Sequence, residues 1–98
     1  MTAKEWLKET FRREPVGCLV RPHAICKDGF SISIQASAFH YCTPRRGLKD
    51  CKYTHFELGY PSEHEDLLDG YREGTIFPYV PIKVVEEVIE KHGGIVGC

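Results

Sequence analysis

Hydrophobic and polar positions change their period along the chain, and each change marks an element. From Phe30 to Ser37 the alternation is strict: Phe30, Ile32, Ile34 and Ala36 point one way, Ser31, Ser33, Gln35 and Ser37 the other. A period of two belongs to a half-buried antiparallel strand, here with a polar face of small hydroxyls and one amide. Immediately before it, Lys27-Asp28-Gly29 is a tight-turn signal, because Asp-Gly tolerates the positive φ that hairpins demand. Val16–Val20 and Pro22–Cys26 are apolar and β-branched, which predicts strands or one bent strand broken near Pro22. Tyr53–Leu58 alternates again and Gly59-Tyr60-Pro61-Ser62 closes it. Thr75–Val80 is a short strand interrupted by Pro78, hence an edge.

Two segments carry a helical period. Thr2-Ala3-Lys4-Glu5 has the form of a capping box, a hydroxyl at the N-cap and a carboxylate three residues on. Trp6, Leu7, Thr10 and Phe11 follow at helical spacing, and Pro15 and Gly17 are expected to end the helix. Pro81 stands where a first-turn proline belongs. Beyond it Val84, Val85, Val88 and Ile89 form an apolar face, and Gly93 is the expected stop. Residues 38–52 have no period and predict a connection, while the acidic stretch Glu63–Glu73 predicts a short helix or a lid-like loop. The sum is an α+β domain: a small antiparallel sheet of about four to five strands with an N-terminal and a C-terminal helix.

Composition narrows the class. Ninety-eight residues with 42% hydrophobic and 28% charged positions suit one domain over residues 1–98 and exclude disorder. No apolar run approaches the ~20 residues of a membrane span, and the first residues lack the apolar core of a signal peptide, so a cytoplasmic chain without membrane contact is expected. The net charge of −1 conceals about +4 in residues 1–50 against about −5 in residues 51–98, a polarity that can steer anions or pair copies head to tail. Such a balance is not that of a nucleic-acid coat, and no nucleic acid is expected as partner. Five cysteines (Cys18, Cys26, Cys42, Cys51 and Cys98) without a Cys-x-x-Cys read as reduced thiols.

Chemistry concentrates in Gln35–Arg46, which leaves the polar face of the best strand and runs into two adjacent arginines. Four readings compete. Zinc is one, since His40-x-Cys42, Cys51-x3-His55 and Cys18-x4-His23-x2-Cys26 supply ligand atoms, but only Cys51/His55 and His23/Cys26 approach structural spacing. Catalysis through Cys42 with His40 or His55 is another, though no strand–turn–helix elbow supplies a setting for a nucleophile. Recognition of an anionic aromatic small molecule is the third. Arg45 and Arg46 suit phosphate oxygens, Tyr41, Phe39 and His40 offer flat surfaces to a base, and Gln35 with Ser37 can read ring edges. The fourth is a protein-binding surface, because eleven aromatics exceed what a thin core requires and Tyr60, Tyr71 and Tyr79 neighbour prolines or glycines.

The run Asp28-Gly29-Phe30-Ser31-Ile32-Ser33-Ile34-Gln35-Ala36-Ser37, then His40-Tyr41-Cys42-Thr43-Pro44-Arg45, resembles a family of small uncharacterised phage and prophage proteins. Gly59-Tyr60-Pro61-Ser62, Tyr79-Val80-Pro81 and Val88-Ile89-Glu90-Lys91-His92-Gly93-Gly94-Ile95 extend the resemblance over most of residues 23–95. The resemblance implies a context, the cytoplasm of an infected or lysogenic bacterium, and no activity. Small phage proteins commonly counter host defence. The expectation is therefore a non-enzymatic protein, without cofactor, metal or catalytic residue, that sequesters a nucleotide-derived signal where copies of a homo-oligomer meet. Gln35, Ser37, His40, Tyr41, Arg45 and Arg46 would bind the ligand. The alternative is an inhibitor of a host defence protein, anti-CRISPR-like, using Tyr60, Tyr71 and the acidic Glu63–Glu73 segment.

Overall fold

The computed structural model describes residues 1–11, 20–48 and 50–98. Helix α1 (Ala3–Glu9) starts where the capping box places it: Thr2 Oγ1 accepts from Glu5 N at 3.1 Å and Glu5 Oε1 accepts from Thr2 N at 2.8 Å. It buries Ala3, Trp6 and Leu7, and Thr10 caps its end. The expected stop at Pro15 and Gly17, the strand over residues 16–19 and Cys18 lie outside the described residues. Val20 is exposed and belongs to no strand.

Strands β1 (Ala24–Cys26) and β2 (Ser31–Gln35) form the anticipated hairpin. Gly29 takes φ +94°, and Asp28 Oδ1 accepts from Phe30 N at 2.9 Å, so both turn residues do what Asp-Gly turns require. β3 (His55–Gly59) pairs with β2 in the register Ser33↔Gly59, Ile34↔Leu58 and Gln35↔Glu57. After a 3-10 helix (Asp66–Tyr71), β4 (Ile76–Pro81) pairs with β3 and forms the expected edge. Helix α2 (Ile82–Lys91) begins one residue later than the proline spacing suggests, since Pro81 closes β4 and serves as the N-cap. His92 caps its end; Gly93 and Gly94, at φ +89° and +88°, then reverse the chain. That reversal makes β5 (Ile95–Gly97), a strand absent from the sequence reading, which pairs antiparallel with β1. The sheet runs β4-β3-β2-β1-β5, and all neighbours are antiparallel.

Both helices pack on the sheet and on each other. Phe30, Ile32, Ile34, Phe56, Leu58, Val80, Val85, Val88 and Ile95 fill the space between, all essentially inaccessible. Glu86 on α2 accepts from Ala3 N at 2.7 Å, so one helix caps the other's N-terminus. The second face of β2 corrects the expectation of a wet surface. Ser33, Gln35 and Ser37 are buried like the apolar face, and the main chain of Arg21 closes over the Gln35 amide. No helix of the described residues is long and apolar enough to cross a membrane.

Candidate functional site

The connection from β2 to β3 is irregular but pinned at many points. Its first side chain, Ser37, is buried; its Oγ accepts from Phe39 N at 3.1 Å and lies 2.6 Å from His40 Nδ1. The Ser37 hydroxyl and His40 Nδ1 share one hydrogen bond, whose donor is set by the tautomer of the ring. Burial, aided by the positive charges of Arg21 and Arg45 and opposed by Glu57, holds His40 below the usual histidine range. Cys42 Sγ lies 3.2 Å from Ser37 O and 3.3 Å from Pro44 O, and its one S–H is shared between those two carbonyls. Burial pushes its pKa up, so the thiol stays protonated and spent. Thr43 bridges to His55, joined by a hydrogen bond from Thr43 N to His55 O at 3.0 Å. The Thr43-Pro44 peptide is cis.

Beyond this knot the chain presents Tyr41 on a fixed backbone. Tyr41 N donates to Glu57 Oε1 on β3 at 2.9 Å, and Tyr41 O accepts from Tyr79 N on β4 at 3.1 Å. Tyr79 stands at φ +52°, left-handed backbone that a bulky residue adopts only under constraint, here beside the β3–β4 register shift. The two rings lie 5.9 Å apart, tilted by 51°, and both are exposed. The Arg45 guanidinium sits 4.8 Å from the centre of the Tyr41 ring. Tyr41, Tyr79, Pro78, Ile76 and Glu73 line a cleft of about 410 Å³, within the range of small-molecule sites. No family model, no curated protein and no solved structure matches this chain.

The six expected ligand residues divide between surface and interior. Tyr41, Arg45 and Arg46 are exposed and His40 is half-buried. Arg46 contributes its carbonyl to the loop's own structure, accepting from Tyr53 Oη at 2.7 Å, and leaves its guanidinium outside. Gln35 is turned inward: Oε1 accepts from Arg21 N at 2.8 Å, and Nε2 donates to Arg21 O at 2.8 Å and Ser33 Oγ at 2.9 Å. Every donor of that amide is used, and nothing remains to read a ring edge. Ser37 is occupied in the same way by Phe39 and His40. Glu73, Ile76 and Pro78 join the cleft without having been singled out for a ligand, and Tyr79 had pointed only to a protein surface. The available signal was Pro78-Tyr79 in an edge strand, an unusual pair for regular β pairing.

The zinc pairings do not assemble among the described residues. His23 stacks at 6.2 Å on Tyr60, His55 Nδ1 contacts Thr54 Oγ1 at 2.9 Å, and Cys51 lies against Arg21 and Leu7 O. Two other groups, Asp28/Glu63/His92 and His64/Asp66/Asp69, bring ligating atoms within 4.8 Å of one another. In the first, His92 is an ion-pair centre. Its Nδ1 meets Asp28 Oδ2 at 2.7 Å, its Nε2 meets Glu65 Oε1 at 2.8 Å, and its ring stacks on Phe30 at 3.9 Å. Burial pulls the imidazole down, but the hydrogen bonds to Asp28 and Glu65 outweigh it and leave the pKa above the ordinary 6.5. Lys91 Nζ holds the other oxygen of Glu65 at 2.9 Å.

Proposed function

We propose that this chain is a non-enzymatic, phage-encoded counter-defence protein that binds and sequesters a nucleotide-derived signal in the bacterial cytoplasm. The observation that carries the reading is the Arg45 guanidinium stacked over the exposed Tyr41 ring, beside Tyr79. A cation parked on an aromatic face offers an anionic planar ligand both things it needs, a stacking surface and a phosphate partner. Arg46 adds a second cation on the same loop. Tyr41 and Arg45 hold the ligand, with His40 supporting the loop through Ser37. The cleft is open to solvent, and a second copy of the chain against exposed Phe39 and Tyr79 would close it into an interfacial pocket.

Native mass spectrometry of the protein purified from bacteria, followed by calorimetric titration with mono- and cyclic nucleotides, tests this. A homo-oligomer binding at least one nucleotide, weakened about tenfold or more by Arg45→Ala or Tyr41→Ala, is expected. A monomer that binds none of them refutes the reading. A second reading, inhibition of a host protein, draws on exposed Tyr60 and on the exposed carboxylates of Glu63, Asp66 and Asp69 along one segment. Tyr71 is half-buried against the core. A stoichiometric host partner in pull-downs, lost on Tyr60→Ala, would replace the first reading with the second.

A further inference from the structure

We infer that the cleft selects guanine over the other bases, with the Glu73 carboxylate as the selecting group; this rests on the nucleotide-binding reading above. Apart from the tyrosine hydroxyls, Glu73 is the polar side chain among the residues that line the cleft, whose remaining surface is the rings and apolar groups of Tyr41, Tyr79, Pro78 and Ile76. Its backbone is fixed. Glu73 N donates to Ile76 O at 2.8 Å, Ile76 N donates back to Glu73 O at 3.3 Å, and Gly74 at φ +65° makes the turn between them. Arg72 Nε closes the same turn on Gly74 O at 3.2 Å. The carboxylate itself has no hydrogen-bond or ion-pair partner among the described residues, so it remains available to a ligand.

An ionised carboxylate only accepts hydrogen bonds, through two oxygens side by side. Its best planar partner presents two adjacent donors. Guanine does so with N1–H and N2–H. Adenine and cytosine each place an acceptor beside their amino group, and uracil sets one donor between two acceptors. Each of these loses one bond and directs a lone pair at the carboxylate. The base then stacks on the tyrosine surface while its phosphate extends past the rim toward Arg45, whose guanidinium lies 4.8 Å from the centre of the Tyr41 ring.

Titrations with GMP, IMP and AMP isolate the base, because the three carry the same phosphate. Their affinities should fall in that order, with GMP about 10- to 100-fold tighter than AMP, the discrimination of one bidentate contact. IMP keeps N1–H but lacks the amino group and should lie between. Glu73→Gln presents one donor and one acceptor, so it should narrow the gap or invert it toward AMP. Glu73 is exposed and on the surface of a turn, and circular dichroism checks that the variant folds. Equal affinity of all three for the wild-type protein, or an unchanged preference in Glu73→Gln, overturns guanine selection and leaves the nucleotide-binding reading standing. Absence of binding by all three together with every other nucleotide overturns both.

Discussion

His92 joins three separate parts of the chain, and its removal should be costly in a pH-dependent way. The imidazolium reaches Asp28 on the β1–β2 turn and Glu65 ahead of the 3-10 helix, from its own place at the end of α2. It is 7% exposed and stacked on buried Phe30. In His92→Ala, Glu65 stays buried with Lys91 and Leu67 N as remaining partners, and Asp28 turns to water and Phe30 N. Because both carboxylates keep partners, the loss belongs at the lower end of the range for a broken buried pair, about 3 kcal/mol at pH 6. For a domain of this size that lowers the melting temperature by about 15 °C. The folded pKa of His92 lies above its unfolded value, so the stabilisation is complete below pH ~6.5 and fades as pH rises through the folded value. Asp28, through Phe30 N–H and His92, has its pKa depressed. Glu65 does too: burial pushes it up, and the bonds from Lys91 and His92 pull it down further. Their contribution is present above the ordinary carboxylate range and is lost as pH falls through the folded values. Urea unfolding followed by the fluorescence of Trp6, the single tryptophan, measures both proteins at pH 6 and pH 9. The gap between wild type and His92→Ala should be narrower at pH 9 than at pH 6, as the raised imidazolium gives up its proton. A gap that stays constant across that interval would refute an imidazolium at this position.

Gln35→Leu removes an amide whose bonds all lie inside the protein, and should cost about 2 kcal/mol of stability in chemical denaturation while leaving ligand affinity unchanged in calorimetry. A lost affinity with intact stability would return Gln35 to the binding site. Glu86→Ala strips the first turn of α1 of its acceptor from the neighbouring helix and should lower stability by about 1 kcal/mol, read from the urea midpoint. Trp6 Nε1 is buried without a hydrogen-bond partner among the described residues, so Trp6→Phe discards an unsatisfied donor. It should shift stability by less than about 1 kcal/mol in thermal unfolding followed by circular dichroism, against the several kcal/mol usual for truncating a core tryptophan.

What the sequence revealed follows the range of the forces involved. α1, the Asp28-Gly29 turn, the alternation of β2 and the apolar face of α2 are set by neighbours within a few residues, and each was legible. The polarity of the second β2 face was not. Ser33, Gln35 and Ser37 look wet in sequence, yet all three are buried, Gln35 against the main chain of Arg21 fourteen residues away. β5 was hidden for the same reason, since three residues become a strand only through pairing with β1. The candidate site divides along that line. Tyr41 and Arg45 stood out as neighbours in a dense polar run, whereas Tyr79 and Glu73 arrive from the β4 hairpin through the bond from Tyr79 N to Tyr41 O.

β4 and β5 stand on opposite edges of the sheet, and because every neighbouring pair is antiparallel the two run in the same direction. The chain that leaves β4 at Pro81 must therefore travel back along the strands as well as across about 19 Å of sheet before β5 can start at Ile95. Helix α2 lies on that return path, and the Gly93-Gly94 reversal turns the chain into β5. Joining two parallel edge strands by one helix closes the sheet's first and last strands into a single covalent strap, so neither edge can peel away without pulling on the helix that covers the core.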